Sequence, residues 1–221
     1  MSFLEFIDVY WPRLLSGTGI TVAQFFLSAI FAVIFALAFG LMKMSPNRLV
    51  KGVAVTYIEI FRGTSLLVQL YWIFFVLPLF GVTLEKFTAG YVAIALNTGA
   101  YGAELVRGGI LAVPKGQWEA ATAINMSPAK RMWRIILPQA LVNMLPPWGN
   151  LMIEVLKGTA LVSLISVTDL MFEAKQINAS TYLSAQIFGT ALLIYYILAR
   201  FLLTPFMRWL EAFMARKLGR A

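Results

Sequence analysis

Apolar residues run through this chain in blocks too long for an ordinary soluble core. Five stand out, at about 19–42, 53–80, 87–111, 145–171 and 184–206. Each reaches the roughly 20 residues that carry an α-helix across a bilayer. Strand-like alternation is absent, and an open sheet edge cannot sit in hydrocarbon. The pattern therefore predicts an all-α, polytopic membrane protein with five transmembrane helices. Polar residues interrupt several of the blocks, among them Glu59, Arg62 and Gly63 in the second and Glu154 and Lys157 in the fourth. Ahead of the first block, Phe3, Leu4, Phe6, Ile7, Tyr10, Trp11 and Leu14 fall near helical spacing. They predict an interfacial helix on the outer face, within residues 1–18.

Composition supports this class and removes others. Of the 221 residues, 60% are hydrophobic and 13% charged, about half the charged share of a soluble domain. Mean hydropathy is +0.80. There is no Cys, hence no disulfide framework, and no His, the commonest general base and metal ligand. No phosphate-binding GxxxxGK[ST] loop, metal-ligand cluster or Ser/His/Asp set is present. An enzyme reading thus has little support, and no cofactor is expected in this chain. The formal charge of +8 fits a basic cytoplasmic face better than a nucleic-acid partner. The N-terminus carries Glu5 and Asp8 without a basic stretch, unlike a cleaved signal peptide.

Five crossings place the termini on opposite sides, and the basic residues choose the sides. Twelve of them (Lys43, Arg48, Lys51, Arg107, Lys115, Lys130, Arg131, Arg134, Arg208, Arg216, Lys217 and Arg220) fall on one side. Three (Arg13, Lys86 and Lys175) fall on the other. The expected orientation is N-terminus outside and C-terminus in the cytoplasm. The loop 112–144 is then cytoplasmic and predicts two short helices, near 117–125 and 129–136. Ser127 is placed to cap the second and Pro128 to occupy its first turn. Pro138, Pro146 and Pro147 are expected to punctuate the return to the membrane.

Three acid–base pairs at i,i+3 spacing lie in the apolar blocks: Glu59/Arg62, Glu104/Arg107 and Glu154/Lys157. That spacing puts both members on one helix face. A lone charge at the bilayer centre costs about 2.5–3.5 kcal/mol on insertion scales. The pairs either line a polar pathway or lock helix to helix, and both readings stand at this level. Polar side chains in blocks two to four predict a pathway lined by Gln69, Asn97, Tyr101, Glu104, Glu154, Lys157, Thr159 and Ser163. The small residues of block three, including Gly99, Gly102 and Gly109, favour close helix packing.

The loop also carries the sequence Glu119-Ala120-Ala121, followed later by Ile135-Ile136-Leu137-Pro138. This resembles the EAA loop of the permease subunits of ATP-binding-cassette (ABC) importers. The surroundings resemble the polar amino acid uptake branch: Phe61-Arg62-Gly63-Thr64-Ser65, Ala100-Tyr101-Gly102-Ala103-Glu104, Arg107-Gly108-Gly109-Ile110, Gly116-Gln117-Trp118-Glu119 and Leu137-Pro138-Gln139-Ala140. Met126, Trp148-Gly149-Asn150 and Ala160-Leu161-Val162-Ser163 look similar to permeases for ectoine and hydroxyectoine. There are departures. Asn125 stands where the family usually has Gly, Ser65 where Pro is common, and Gly158 where an acidic residue is often seen.

The resemblance implies a single membrane domain over 1–221. It implies that 112–144 is a coupling loop, with Glu119, Ala120, Ala121, Asn125, Met126 and Ser127 meeting an ATPase. The implied partners are a dimer of ABC ATPase subunits, which bind ATP and Mg, a second identical or homologous permease subunit, and a periplasmic or lipid-anchored solute-binding protein. The implied location is the bacterial inner membrane, in contact with lipid and not nucleic acid. The missing carboxylate at Gly158 argues for a net-neutral solute, such as ectoine or a neutral polar amino acid. The competing class is a channel or secondary transporter working without an ATPase. The lack of inverted repeats and the large cytoplasmic loop count against it.

Overall fold

The computed structural model describes residues 3–217, and every residue in secondary structure there is helical. Arg220, counted above among the basic residues, lies outside that range. Eight helices follow in order: α1 (Phe3–Lys43), α2 (Arg48–Gly63), α3 (Leu66–Phe80), α4 (Lys86–Leu111), α5 (Lys115–Ala123), α6 (Pro128–Ile165), α7 (Leu170–Thr181) and α8 (Ser184–Lys217). By length and apolarity α1, α6 and α8 can each cross a membrane, and α2 with α3 can do so as one bent span. α4 has the length to cross but is less apolar, because small and polar residues fill it.

The physical reason lies in where α4 sits. It packs along α1 on one side and α6 on another, with α2 and α3 against it. Half of its residues are buried, so it needs little apolar surface for lipid. Close approach requires glycine at several points along it. A Cβ at Gly102 would come within 2.6 Å of the Trp148 ring and 2.7 Å of Ala36, and one at Gly99 within 2.6 Å of Phe35. Block three is therefore a packing face, as its small residues suggest.

The facing side of α1 carries a buried polar seam. Thr21, Gln24 and Ser28 recur at helical spacing with no exposed surface. The Gln24 amide donates to Phe87 O at 2.9 Å, and the Ser28 hydroxyl to Tyr91 O at 3.5 Å. Thr21 Oγ1 accepts from Leu170 N at 3.1 Å. In hydrocarbon such groups must find partners inside the protein, and here they join α1 to α4 and α7.

Four expected boundaries are corrected. The outer segment is not a separate helix: α1 is continuous for 41 residues, about 60 Å at 1.5 Å per residue. Phe6 and Leu14 are buried with Leu170, Ala174, Ile177, Ile187 and Ala191, so α7 and α8 cover the apolar face assigned to a membrane surface. Block two is not one straight helix; α2 and α3 meet at 107°. The second loop helix does not end at 136. It continues into block four, as residues 128–165. Pro138 fails to stop it because the turn before it is widened: the Leu137 N–H bonds Met132 O, five residues back. Finally, α8 runs beyond 206 to Lys217. α7, which follows block four, starts at an N-cap, where Asp169 Oδ1 accepts from Phe172 N at 2.9 Å.

Candidate functional site

Two places draw the candidate residues together. The first is a cavity of about 490 Å³ between α3, α4 and α6. Asn97, Thr98 and Tyr101 reach it from α4, Glu154, Lys157 and Gly158 from α6, and Leu66 from the start of α3. Lys157 Nζ lies 2.9 Å from Glu154 Oε1, with side chains 64% and 66% exposed. That exposure makes the pair worth little for stability. It leaves both charges accessible from the open side of the cavity.

The hinge of the bent span borders this cavity and is tied to it by amides. The Gln69 amide donates to Phe61 O at 2.9 Å and to Thr64 Oγ1 at 2.7 Å. The Asn97 amide donates to Phe61 O and to Gln69 Oε1, both at 3.0 Å. The Tyr101 hydroxyl donates to Arg62 O at 3.4 Å, and the Arg62 guanidinium lies 5.3 Å from the Tyr101 ring centroid. A sharp bend frees backbone carbonyls, and these side chains satisfy them. The 107° angle is thus fixed from α4.

Of the eight predicted pathway residues, the cavity wall includes Asn97, Tyr101, Glu154 and Lys157. Gln69 is buried in the hinge network. Thr159 and Ser163 are buried, with hydroxyls donating to Leu156 O and Ala160 O on their own helix. Glu104 is held by Lys43 of α1 and by Arg107, at 3.0 Å to the latter. Glu59 and Arg62 are not within ion-pairing distance of each other; Arg62 sits on Tyr101 instead. Lys43, Thr98 and Leu66 were not picked out by sequence. Lys43 lies 61 positions from Glu104, and no local spacing connects them.

The second place is the hairpin of α5 and the start of α6. Glu119 and Ala120 are exposed, while Ala121 is buried. Glu119 stands one turn into α5, which begins at Lys115, and not at the helix start. Asn125 adopts φ +58°, the left-handed region that the family's glycine would occupy. Around it, Met126 N bonds Ala121 O at 3.1 Å and Asn125 N bonds Thr122 O at 2.9 Å. These two bonds form a Schellman close of α5. Ser127 then caps α6, its hydroxyl accepting from Lys130 N at 3.4 Å, with Pro128 in the first turn.

The fold thus combines helices of membrane length, a cavity with an exposed ion pair and a hydrophilic helical hairpin. Residues 28–216 match the family described as binding-protein-dependent transport system inner membrane component, and the chain belongs to that family. It is 44% identical over 170 residues to the L-cystine transport system permease protein TcyB of Bacillus subtilis, covering 77% of this chain and 73% of that one. It is 39% identical over 188 residues to the arginine transport system permease protein ArtQ of the same organism, covering 85% and 86%. The crystal structure of an amino acid ABC transporter with histidines superposes with a TM-score of 0.87 and 39% identity, covering 96% of this chain and 98% of that one. The chain is accordingly a multi-pass inner-membrane transport component of an amino acid ABC importer, and ATP hydrolysis belongs to separate ATPase subunits.

Proposed function

We infer that this permease carries a net-neutral amino acid inward, through a pathway shared with a second permease subunit, identical or homologous. The observation that supports this most is the Glu154/Lys157 pair, open to the surface beside Gly158. Two exposed charges on a membrane helix are costly against lipid. A second permease subunit covering that face would turn the cavity into an enclosed polar pathway.

The charge balance of the cavity supports the solute class. A zwitterion brings one ammonium and one carboxylate; Glu154 and Lys157 offer one counter-charge to each. Gly158 adds no carboxylate that would tip the balance toward a cation. The cystine named for one relative is net neutral. The arginine named for another is not. None of these relatives is named for ectoine, so the solute is read as an amino acid.

In this reading α1, the α2–α3 pair, α4, α6 and α8 make five crossings, with the N-terminus outside. The hairpin at 112–144 faces the cytoplasm and meets an ATPase dimer that holds ATP and Mg. A periplasmic or lipid-anchored binding protein delivers solute outside. ATP-driven closure of the ATPases moves the hairpins and biases the permeases between inward-open and outward-open arrangements.

The orientation is tested by placing single cysteines at Lys115 and Lys130 in this naturally cysteine-free chain. They should react with an impermeant maleimide only from the cytoplasmic side; labelling from the periplasm sinks the topology. The solute class is tested by ATPase stimulation of the assembled importer across a panel of amino acids. Neutral amino acids should stimulate several-fold and arginine should not; best stimulation by arginine would sink the charge argument and leave the permease reading intact.

A further inference from the structure

The coupling helix is held by very little. Of the nine residues of α5, only Ala121 is buried. Trp118 is half-buried against the cluster of Ala36, Val106, Ile110 and Met144. What fixes the helix against α6 is a polar clamp centred on Arg131. The Arg131 guanidinium lies 5.4 Å from the Trp118 ring centroid, and its Nη1 donates to Thr122 Oγ1 at 2.6 Å. The Thr122 hydroxyl in turn donates to Trp118 O at 2.8 Å, so one hydroxyl joins the guanidinium to the α5 backbone. Arg131 Nε is buried with no hydrogen-bond partner among the described residues, which leaves the ring and the hydroxyl as the anchors of the side chain. A longer bond, from the Gln139 amide to Gln117 Oε1 at 3.3 Å, supports the same junction.

We propose that Arg131 is a positioning residue of the coupling hairpin: it locks α5 onto the first turn of α6, so that force on Glu119 and Ala120 turns α6 and does not merely tilt α5. Two features make the lock effective. The turn at Asn125 is closed by backbone bonds on both sides, and Ser127 caps the helix that carries Arg131. α6 then runs unbroken to the Glu154/Lys157 face, so a rigid hairpin and the cavity share one helix. Lysine cannot replace this contact fully, because the planar fork both stacks and donates. The proposal rests on the reading of α5 as the ATPase-coupling helix.

The test uses Arg131→Met and Thr122→Val in the assembled importer, with hydrogen exchange and transport measured together. Amides at 118–124 should exchange roughly tenfold faster in either variant, as expected from losing one charge-assisted hydrogen bond, while α6 beyond Ile136 stays protected. The effects of the two substitutions should be less than additive in the double variant, since both remove the shared Arg131–Thr122 contact. ATP consumed per solute moved should rise several-fold, with Arg131→Lys intermediate. Unchanged exchange in α5 overturns the clamp. Faster exchange with an unchanged ATP-to-solute ratio overturns its part in coupling. Glu119→Lys then separates the two failures: if that variant also leaves transport intact, the coupling reading falls with the proposal, and if it does not, only the role of Arg131 falls.

Discussion

Replacing Glu119 with lysine is expected to leave the permease in the membrane and to strip it of its ATPase. The carboxylate is exposed on α5, and no hydrogen bond or ion pair among the described residues engages it. A surface substitution of that kind usually changes folding stability by less than about 0.5 kcal/mol. Any large effect must then come from a partner. Ala120 is exposed beside it and Ala121 is buried beneath, so this part of the helix presents small side chains and one negative charge. Such a surface admits close docking and selects a basic contact. Truncating one member of a buried interfacial charge pair costs about 2–5 kcal/mol, and a reversal costs no less. Assembly should therefore weaken by roughly 30-fold or more. Co-purification of the ATPase and solute-driven uptake report it directly. Wild-type assembly and uptake in this variant would mean that α5 is an ordinary amphipathic surface helix.

Lys157→Met is expected to abolish solute-stimulated ATPase activity while basal hydrolysis and assembly persist. Its Nζ has one anionic partner, Glu154, one turn away, and both side chains are largely exposed. Removing the pair costs the fold little. Removing Lys157 takes from the cavity its contact for a solute carboxylate and leaves Glu154 unopposed. A charge-assisted hydrogen bond of about 1.5–3 kcal/mol corresponds to a loss of at least tenfold in apparent solute affinity. The unopposed Glu154 should also shift the residual preference toward cationic solutes. A variant that fails to assemble would show that Lys157 is a helix-pairing residue.

Much of this architecture is legible in the sequence. Apolar length marks the membrane helices because a bilayer sets a length that no soluble core demands. Asn125 and Ser127 are readable because turn and cap chemistry is local. What escapes is non-local. Nothing near Lys43 announces that its partner is Glu104 across the α1–α4 seam. The bend between α2 and α3 follows from amides of Gln69 and Asn97 that lie 28 positions apart. Pro138 reads as a helix stop, yet the widened turn at Met132–Ile136 carries the helix through it. The segment 3–15 reads as a surface helix because its apolar face is visible, while the α7 and α8 residues that cover it lie some 160 positions away.

The central claim is ATP-driven import of a neutral amino acid through this subunit. It is tested most directly by solute release from proteoliposomes holding the complete importer with its ATPase subunits facing outward and its binding protein trapped in the lumen. Radiolabelled cystine or glutamine preloaded inside should leave the lumen for the ATPase side when ATP and Mg are added outside, and should stay inside with a non-hydrolysable analogue. Movement at the same rate without ATP would contradict the account and assign the chain to a transporter that needs no ATPase.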